Sequence, residues 1–219
     1  MATAAFIFIS YAIGSLPFAV IVSRALGLPD PRSYGSRNPG ATNVLRTSKK
    51  LAALLTLVGD GGKGWLAVFL AARYAADYGS SATATAACAV AVFLGHVFPL
   101  FLRFKGGKGV ATAGGALLAI DPWLGAAMIA TWSAVALASR YASLASIAAA
   151  VCAPACAYFM SLQPGVVPAL ILIGALIVWR HKSNIRNLAA GKERKIGEKE
   201  SSNPTPQAQD SGTTGAESG

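Results

Sequence analysis

The sequence predicts an all-α integral membrane protein with about seven transmembrane helices, one of them short. Three observations lead there. The 219 residues are 54% hydrophobic and 13% charged, with a mean hydropathy of +0.51, well to the apolar side of soluble domains. The apolar residues gather in stretches that mostly approach the ~20 residues a helix needs to cross a ~30 Å hydrocarbon core. The basic residues flank these stretches, as membrane orientation requires, and do not cluster on a soluble domain.

The stretches cover 2–22, 51–72, 82–102, 110–138, 142–160 and 166–179. The first lacks a basic leading region and an A-x-A cleavage site, so it reads as a retained helix and not as a signal peptide. All of the 19 Lys and Arg except Lys63 and Arg73 fall in four segments, 24–50, 103–108, Arg140, and from Arg180 onward. The positive-inside rule puts all four in the cytoplasm, with the N-terminus outside and the C-terminus inside. That assignment requires 110–138 to cross twice. Asp121-Pro122 supplies the break, because proline cannot continue a helix and disfavours αR at the residue before it. The first half, 110–120, is then the short helix.

Residues 1–191 form the membrane domain in this reading. From 192 to 219 the chain is Lys, Glu, Ser, Pro, Thr and Gly with few apolar residues, the composition of a disordered cytoplasmic tail. The net charge of +10 is accounted for by orientation, so no nucleic-acid partner is expected. Cys88, Cys152 and Cys156 lie within apolar stretches and read as packing residues.

Three polar clusters remain, all on the cytoplasmic side of this topology. Residues 35–46, Gly-Ser-Arg-Asn-Pro-Gly-Ala-Thr-Asn-Val-Leu-Arg, combine turn-formers with hydroxyls, amides and guanidiniums that suit an oxyanion; an ordinary basic loop is the bland alternative. Gly95-His96 and then Phe104-Lys105-Gly106-Gly107-Lys108-Gly109-Val110-Ala111-Thr112 look like a phosphate loop leading into a helix N-terminus. No G-x-x-x-x-G-K-[ST] occurs, so nucleotide hydrolysis is not indicated. His96 is a candidate base or hydrogen-bond donor to a phosphate, with a satisfied interfacial histidine as the bland alternative. The third cluster joins Ser139-Arg140-Tyr141-Ala142-Ser143 to Arg180-His181-Lys182-Ser183-Asn184-Ile185-Arg186. Inside the second stretch, Asp60 and Lys63 share a helix face at i, i+3 and read as a pair that buttresses the bundle.

These motifs, in this order, resemble the bacterial acyl-phosphate-dependent glycerol 3-phosphate acyltransferases of the PlsY type over residues 6–197. The resemblance implies a seven-helix fold in the bacterial inner membrane, with its active site at the cytoplasmic boundary. It implies transfer of an acyl group from acyl phosphate to glycerol 3-phosphate, the first acylation of phospholipid synthesis, with no cofactor or metal. Carried over by position, Ser36, Arg46, His96, Lys105, Ser143 and Asn184 would be catalytic. Asn38, Thr42, Asn43, Gly106, Gly107, Lys108, Gly109 and His181 would bind substrate, the glycine amides holding the donor phosphate. Arg37 departs from the pattern, which usually has glycine there. Two readings from other classes stay open at this point. A secondary transporter would explain the intramembrane charges but not the confinement of polar clusters to one face, and a lipid-binding subunit would explain the charge but not the Gly, Asn and Ser motifs.

Overall fold

The computed structural model describes residues 2–74, 82–163 and 165–198, and every regular element among them is helical. The helices are α1 (Ala2–Gly14), α2 (Phe18–Ala25), α3 (Ala41–Val44), α4 (Lys50–Tyr74), α5 (Ala82–Val97), α6 (Val110–Ile120), α7 (Pro122–Ser139), α8 (Ala142–Phe159), α9 (Val166–Arg180) and α10 (Lys182–Ala189). Among the described residues, five spans are long and apolar enough to cross a bilayer, the first being α1 and α2 together. The bent pair of α9 and α10, which meet at 58°, makes a sixth, and α6 is a shorter apolar helix. Each stretch expected to be helical is therefore helical.

The break at Asp121-Pro122 falls where the residues require it. Asp121 ends α6 and caps α7, its Oδ1 accepting from the amides of Trp123 (2.8 Å) and Leu124 (2.9 Å), with Pro122 in the first turn, where its missing N–H costs nothing. The first stretch differs from its expectation, because Pro17 divides it into α1 and α2. The helix break leaves the Leu16 carbonyl in need of partners, and Lys63 Nζ donates to it at 2.7 Å. A broken helix is tolerated in a membrane protein where a neighbour repairs the backbone in this way.

Small residues set the depth of packing, as expected for helices that gain little from hydrophobicity in lipid. A Cβ on Gly64 would overlap the Thr112 carbonyl, and one on Gly115 would overlap that of Gly61. The backbones of α4 and α6 thus run almost in contact, which brings Asp60 and Lys63 to the start of α6. Behind them Phe93, Val97, Leu117, Leu124, Leu170 and Ile173 form a buried apolar cluster joining α5, α6, α7 and α9.

The boundary expected between 191 and 192 lies just after α10. Residues 192–198 run without helix across the α7–α8 turn, where the Ile196 amide donates to the Arg140 carbonyl at 2.8 Å. Residues 199–219, the larger part of the expected tail, lie outside the described residues.

Candidate active site

His96 sits near the end of α5, buried, with Nδ1 3.1 Å from Thr112 Oγ1 and 3.4 Å from Asp60 Oδ1. Asp60 in turn pairs with Lys63 Nζ at 2.8 Å. Asp60 and Lys63 are 3% and 4% exposed, so neither charge is tolerable without the other. The pair expected to buttress the bundle does so, and it also orients the histidine. We assign the ring proton to Nδ1, facing the carboxylate and Thr112, which leaves Nε2 as the acceptor.

The loop from 103 to 109 is held by its own backbone. The Gly106 amide donates to the Val97 carbonyl (3.1 Å) and the Gly107 amide to that of His96 (3.2 Å). Their carbonyls accept from Arg180, at 2.8 Å for Gly106 and 3.2 Å for Gly107. Both glycines are needed because the loop lies directly on α5. A Cβ on Gly106 would overlap the His96 carbonyl, and one on Gly107 would overlap His96 Nε2. These two amides, expected to hold a donor phosphate, are thus already spent on the fold. Gly109 differs. It has a φ of 81° and opens α6, whose first amides have no acceptor within the helix.

Lys105 also departs from its expectation. Arg103 and Phe104 both take positive φ, and Lys105 emerges exposed, outside the cavity that collects the other candidates. Lys108, three residues on, lines that cavity and hydrogen-bonds to Asn184 Oδ1. Burial, with Arg180 and Arg46 nearby, pulls its ammonium down to about 8 even though Glu193 opposes the shift.

The loop from 35 to 46 is organised by a side chain. Asn43 is buried, accepts from the Ser36 amide at 2.9 Å and donates to the Pro31 (2.7 Å) and Tyr34 (3.3 Å) carbonyls. Its amide group therefore builds the loop that carries Ser36. Arg37 is exposed with φ at 54°, a left-handed conformation that favours glycine, and it does not line the cavity. Ser36, Asn38, Thr42 and Arg46 do.

Opposite them stand Ser143 on the first turn of α8, His181 between α9 and α10, and Asn184 on α10. His181 Nδ1 donates to the Ile177 carbonyl at 2.8 Å, and burial beside Lys108 lowers its pKa to about 4, keeping it neutral. All these groups share one cavity of about 900 Å³. Its mouth is polar and gathers residues from three of the four basic segments, while the fourth, Arg140, is tied by its backbone to Ile196 at the rim. Its depth is apolar, lined by Leu117, Leu118, Met128, Ile129, Leu170 and Ile173 from α6, α7 and α9.

A family model described as "Glycerol-3-phosphate acyltransferase" matches residues 4–191. The chain belongs to the glycerol-3-phosphate acyltransferase family. Relatives named glycerol-3-phosphate acyltransferase include one from Paraburkholderia phymatum, 55% identical over 87% of this chain and 91% of its own. Another, from Laribacter hongkongensis, is 56% identical over 92% of this chain and 100% of its own. The fold matches the crystal structure of PlsY, described as an integral membrane glycerol 3-phosphate acyltransferase, in its glycerol 3-phosphate form. The TM-score is 0.83 at 34% identity, covering 90% of this chain and 96% of that one. A lysophosphatidic acid form of PlsY matches with a TM-score of 0.82.

Two residues at the site were not singled out from sequence. Arg180 falls in the third polar cluster but carries no assigned role there, and Glu193 falls in the expected tail. Glu193 did carry a signal, as the first acidic residue after Asp121 and one set among Lys192, Arg194 and Lys195.

Proposed function

We propose that this chain transfers a fatty acyl group from acyl phosphate to glycerol 3-phosphate, giving 1-acyl-glycerol 3-phosphate and phosphate. This is the first acylation of bacterial phospholipid synthesis. The observation that carries the reading is the single cavity with a cationic, amide- and hydroxyl-lined mouth and an apolar depth, the shape of a phosphate joined to a fatty chain. The family match supports the acceptor, as do the glycerol 3-phosphate and lysophosphatidic acid forms of the related PlsY.

Acyl phosphate is already activated, so positioning and charge stabilisation supply most of what catalysis requires. The acceptor hydroxyl oxygen attacks the acyl carbonyl carbon, the carbon–oxygen bond to phosphate breaks, and phosphate leaves with the electron pair. The hydroxyl proton ends on that phosphate, directly or by way of His96 Nε2. Arg46, Lys108, Ser143, His181 and Asn184 hold the acceptor. Ser36 and the first amides of α6 face the donor phosphate, while the acyl chain lies between α6, α7, α8 and α9.

The convergence of three basic segments on one mouth, with Arg140 tied to its rim through Ile196, supports seven crossings, with α6 the short one, the N-terminus outside, and the site on the cytoplasmic side of the inner membrane. The test is acyl transfer by the purified chain in detergent with glycerol 3-phosphate and either palmitoyl phosphate or palmitoyl-CoA. Turnover with palmitoyl phosphate alone is expected; turnover with palmitoyl-CoA alone would overturn the donor assignment.

A further inference from the structure

The segment after α10 does more than leave the membrane domain. Gly191, with φ at 65°, turns the chain back. The Ile196–Arg140 backbone bond then pins it across the α7–α8 turn, so that residues 193–198 line the cavity mouth. Within this strap one oxygen, Glu193 Oε1, accepts from Ser143 Oγ at 2.6 Å and from Asn184 Nδ2 at 2.7 Å. Fixing Nδ2 fixes the other end of the same amide, and Asn184 Oδ1 receives Lys108 Nζ. One carboxylate thus organises groups from α8, from α10 and from the loop before α6. These are groups that the proposed function assigns to the acceptor, and the inference rests on that reading.

We infer that Glu193 is a positioning residue of the acceptor site, aiming Ser143 and Asn184 and offsetting the crowded cations so that Lys108 meets the acceptor phosphate as an ammonium. Lys108 is faced by Arg180 from α9, by Arg46 at the end of the 35–46 loop, and by Glu193 from the strap. His181 is also close but neutral. Glu193 is the only group of the four that favours the charged lysine. The sign follows directly. Lys108 is charged below about 8 and loses its charge as pH rises through that value; without Glu193 the loss moves to lower pH.

The experiment measures KM for glycerol 3-phosphate from pH 6.5 to 9, with palmitoyl phosphate saturating, in the full chain, Glu193→Gln and Glu193→Asp. Glutamine keeps an oxygen for Ser143 and Asn184 but removes the charge. In the unsubstituted chain KM is expected to rise above about pH 8, and in Glu193→Gln the rise is expected to start about one pH unit lower. The two would then differ by about fivefold near pH 8, approaching tenfold near pH 9, and only slightly at pH 6.5. A pH-independent increase, or lower thermal stability with an unshifted profile, would reduce Glu193 to a structural tie and overturn the inference. A lower KM in Glu193→Gln would overturn it too, since the carboxylate would then compete with the substrate phosphate. Should the glutamine variant fail to accumulate in membranes, Glu193→Asp decides: a smaller shift in the same direction supports the inference, and no shift overturns it. Absence of turnover in the unsubstituted chain would instead refute the proposed function, while turnover with an unshifted variant refutes this inference alone.

Discussion

The two glycine-bearing loops that border the cavity are similar in composition and opposite in construction. Residues 35–46 are held by one buried side chain, Asn43, whose three hydrogen bonds leave Ser36 and Arg46 lining the cavity. Residues 103–109 are held by backbone pairing to the end of α5 and by Arg180, and their first two glycines are consumed in that packing. A glycine-rich basic loop is therefore not by itself an anion cradle. Whether its amides are available depends on what they already bond, which only tertiary structure reveals.

The largest expected effect separates the two lysines of the second loop. Lys108→Ala should lose about 2 to 4 kcal/mol of transition-state stabilisation, a fall of roughly 30- to 1,000-fold in kcat/KM. Lys105→Ala, whose side chain lies outside the cavity, should stay within a few-fold of the unsubstituted chain. Equal losses in both would mean that the loop rearranges to bring Lys105 to the substrate.

Gly107→Ala comes next. Its Cβ would collide with His96 Nε2, and overpacking of this kind typically costs about 1 to 3 kcal/mol. Reduced thermal stability together with a lower kcat is expected, because the displaced ring is the proposed proton acceptor. A rise confined to KM for the acyl phosphate, with stability intact, would restore the loop as a donor cradle.

In the first loop, Asn43→Ala should cost about 1 to 2 kcal/mol, since its partners are backbone groups that water can partly reach. Ser36 should lose its fixed position, so activity is expected to fall further than stability. Thermal unfolding in detergent measured beside kcat/KM would show this, and unchanged kinetics would make Asn43 a purely structural tie.

Much of this was legible in the sequence because membrane physics acts on local composition. Span length, flanking charge and Asp121-Pro122 each act within a few residues, and the helices follow them, including the break before α7. Pro17 is the instructive exception: it divides an apolar stretch that reads as one helix, and the Leu16 carbonyl at that break is what Lys63 satisfies. At the site, Ser143, His181 and Asn184 stand in the cavity as expected. The distinction between Lys105 and Lys108 was not legible, since it depends on positive φ at two non-glycine residues, Arg103 and Phe104. Glu193 was hidden by its surroundings, because a polar run looks the same whether it is solvated or strapped across a mouth.

The smallest expected effect is at Arg37, where the first loop departs from the pattern it resembles. A left-handed φ costs an L-residue with a Cβ about 1 to 2 kcal/mol relative to glycine. Against this, glycine gives the unfolded chain extra freedom, which takes back about 0.4 to 1 kcal/mol. Arg37→Gly should therefore stabilise the protein by only about 0.5 kcal/mol, or roughly 1 to 2 °C in Tm for a chain of this size. Because Arg37 is exposed and does not line the cavity, KM for glycerol 3-phosphate should not change. Thermal unfolding in detergent measures the first quantity and steady-state kinetics the second. A several-fold rise in KM would mean that the Arg37 guanidinium reaches the acceptor phosphate, and the first loop would then supply two cations to the substrate in place of one.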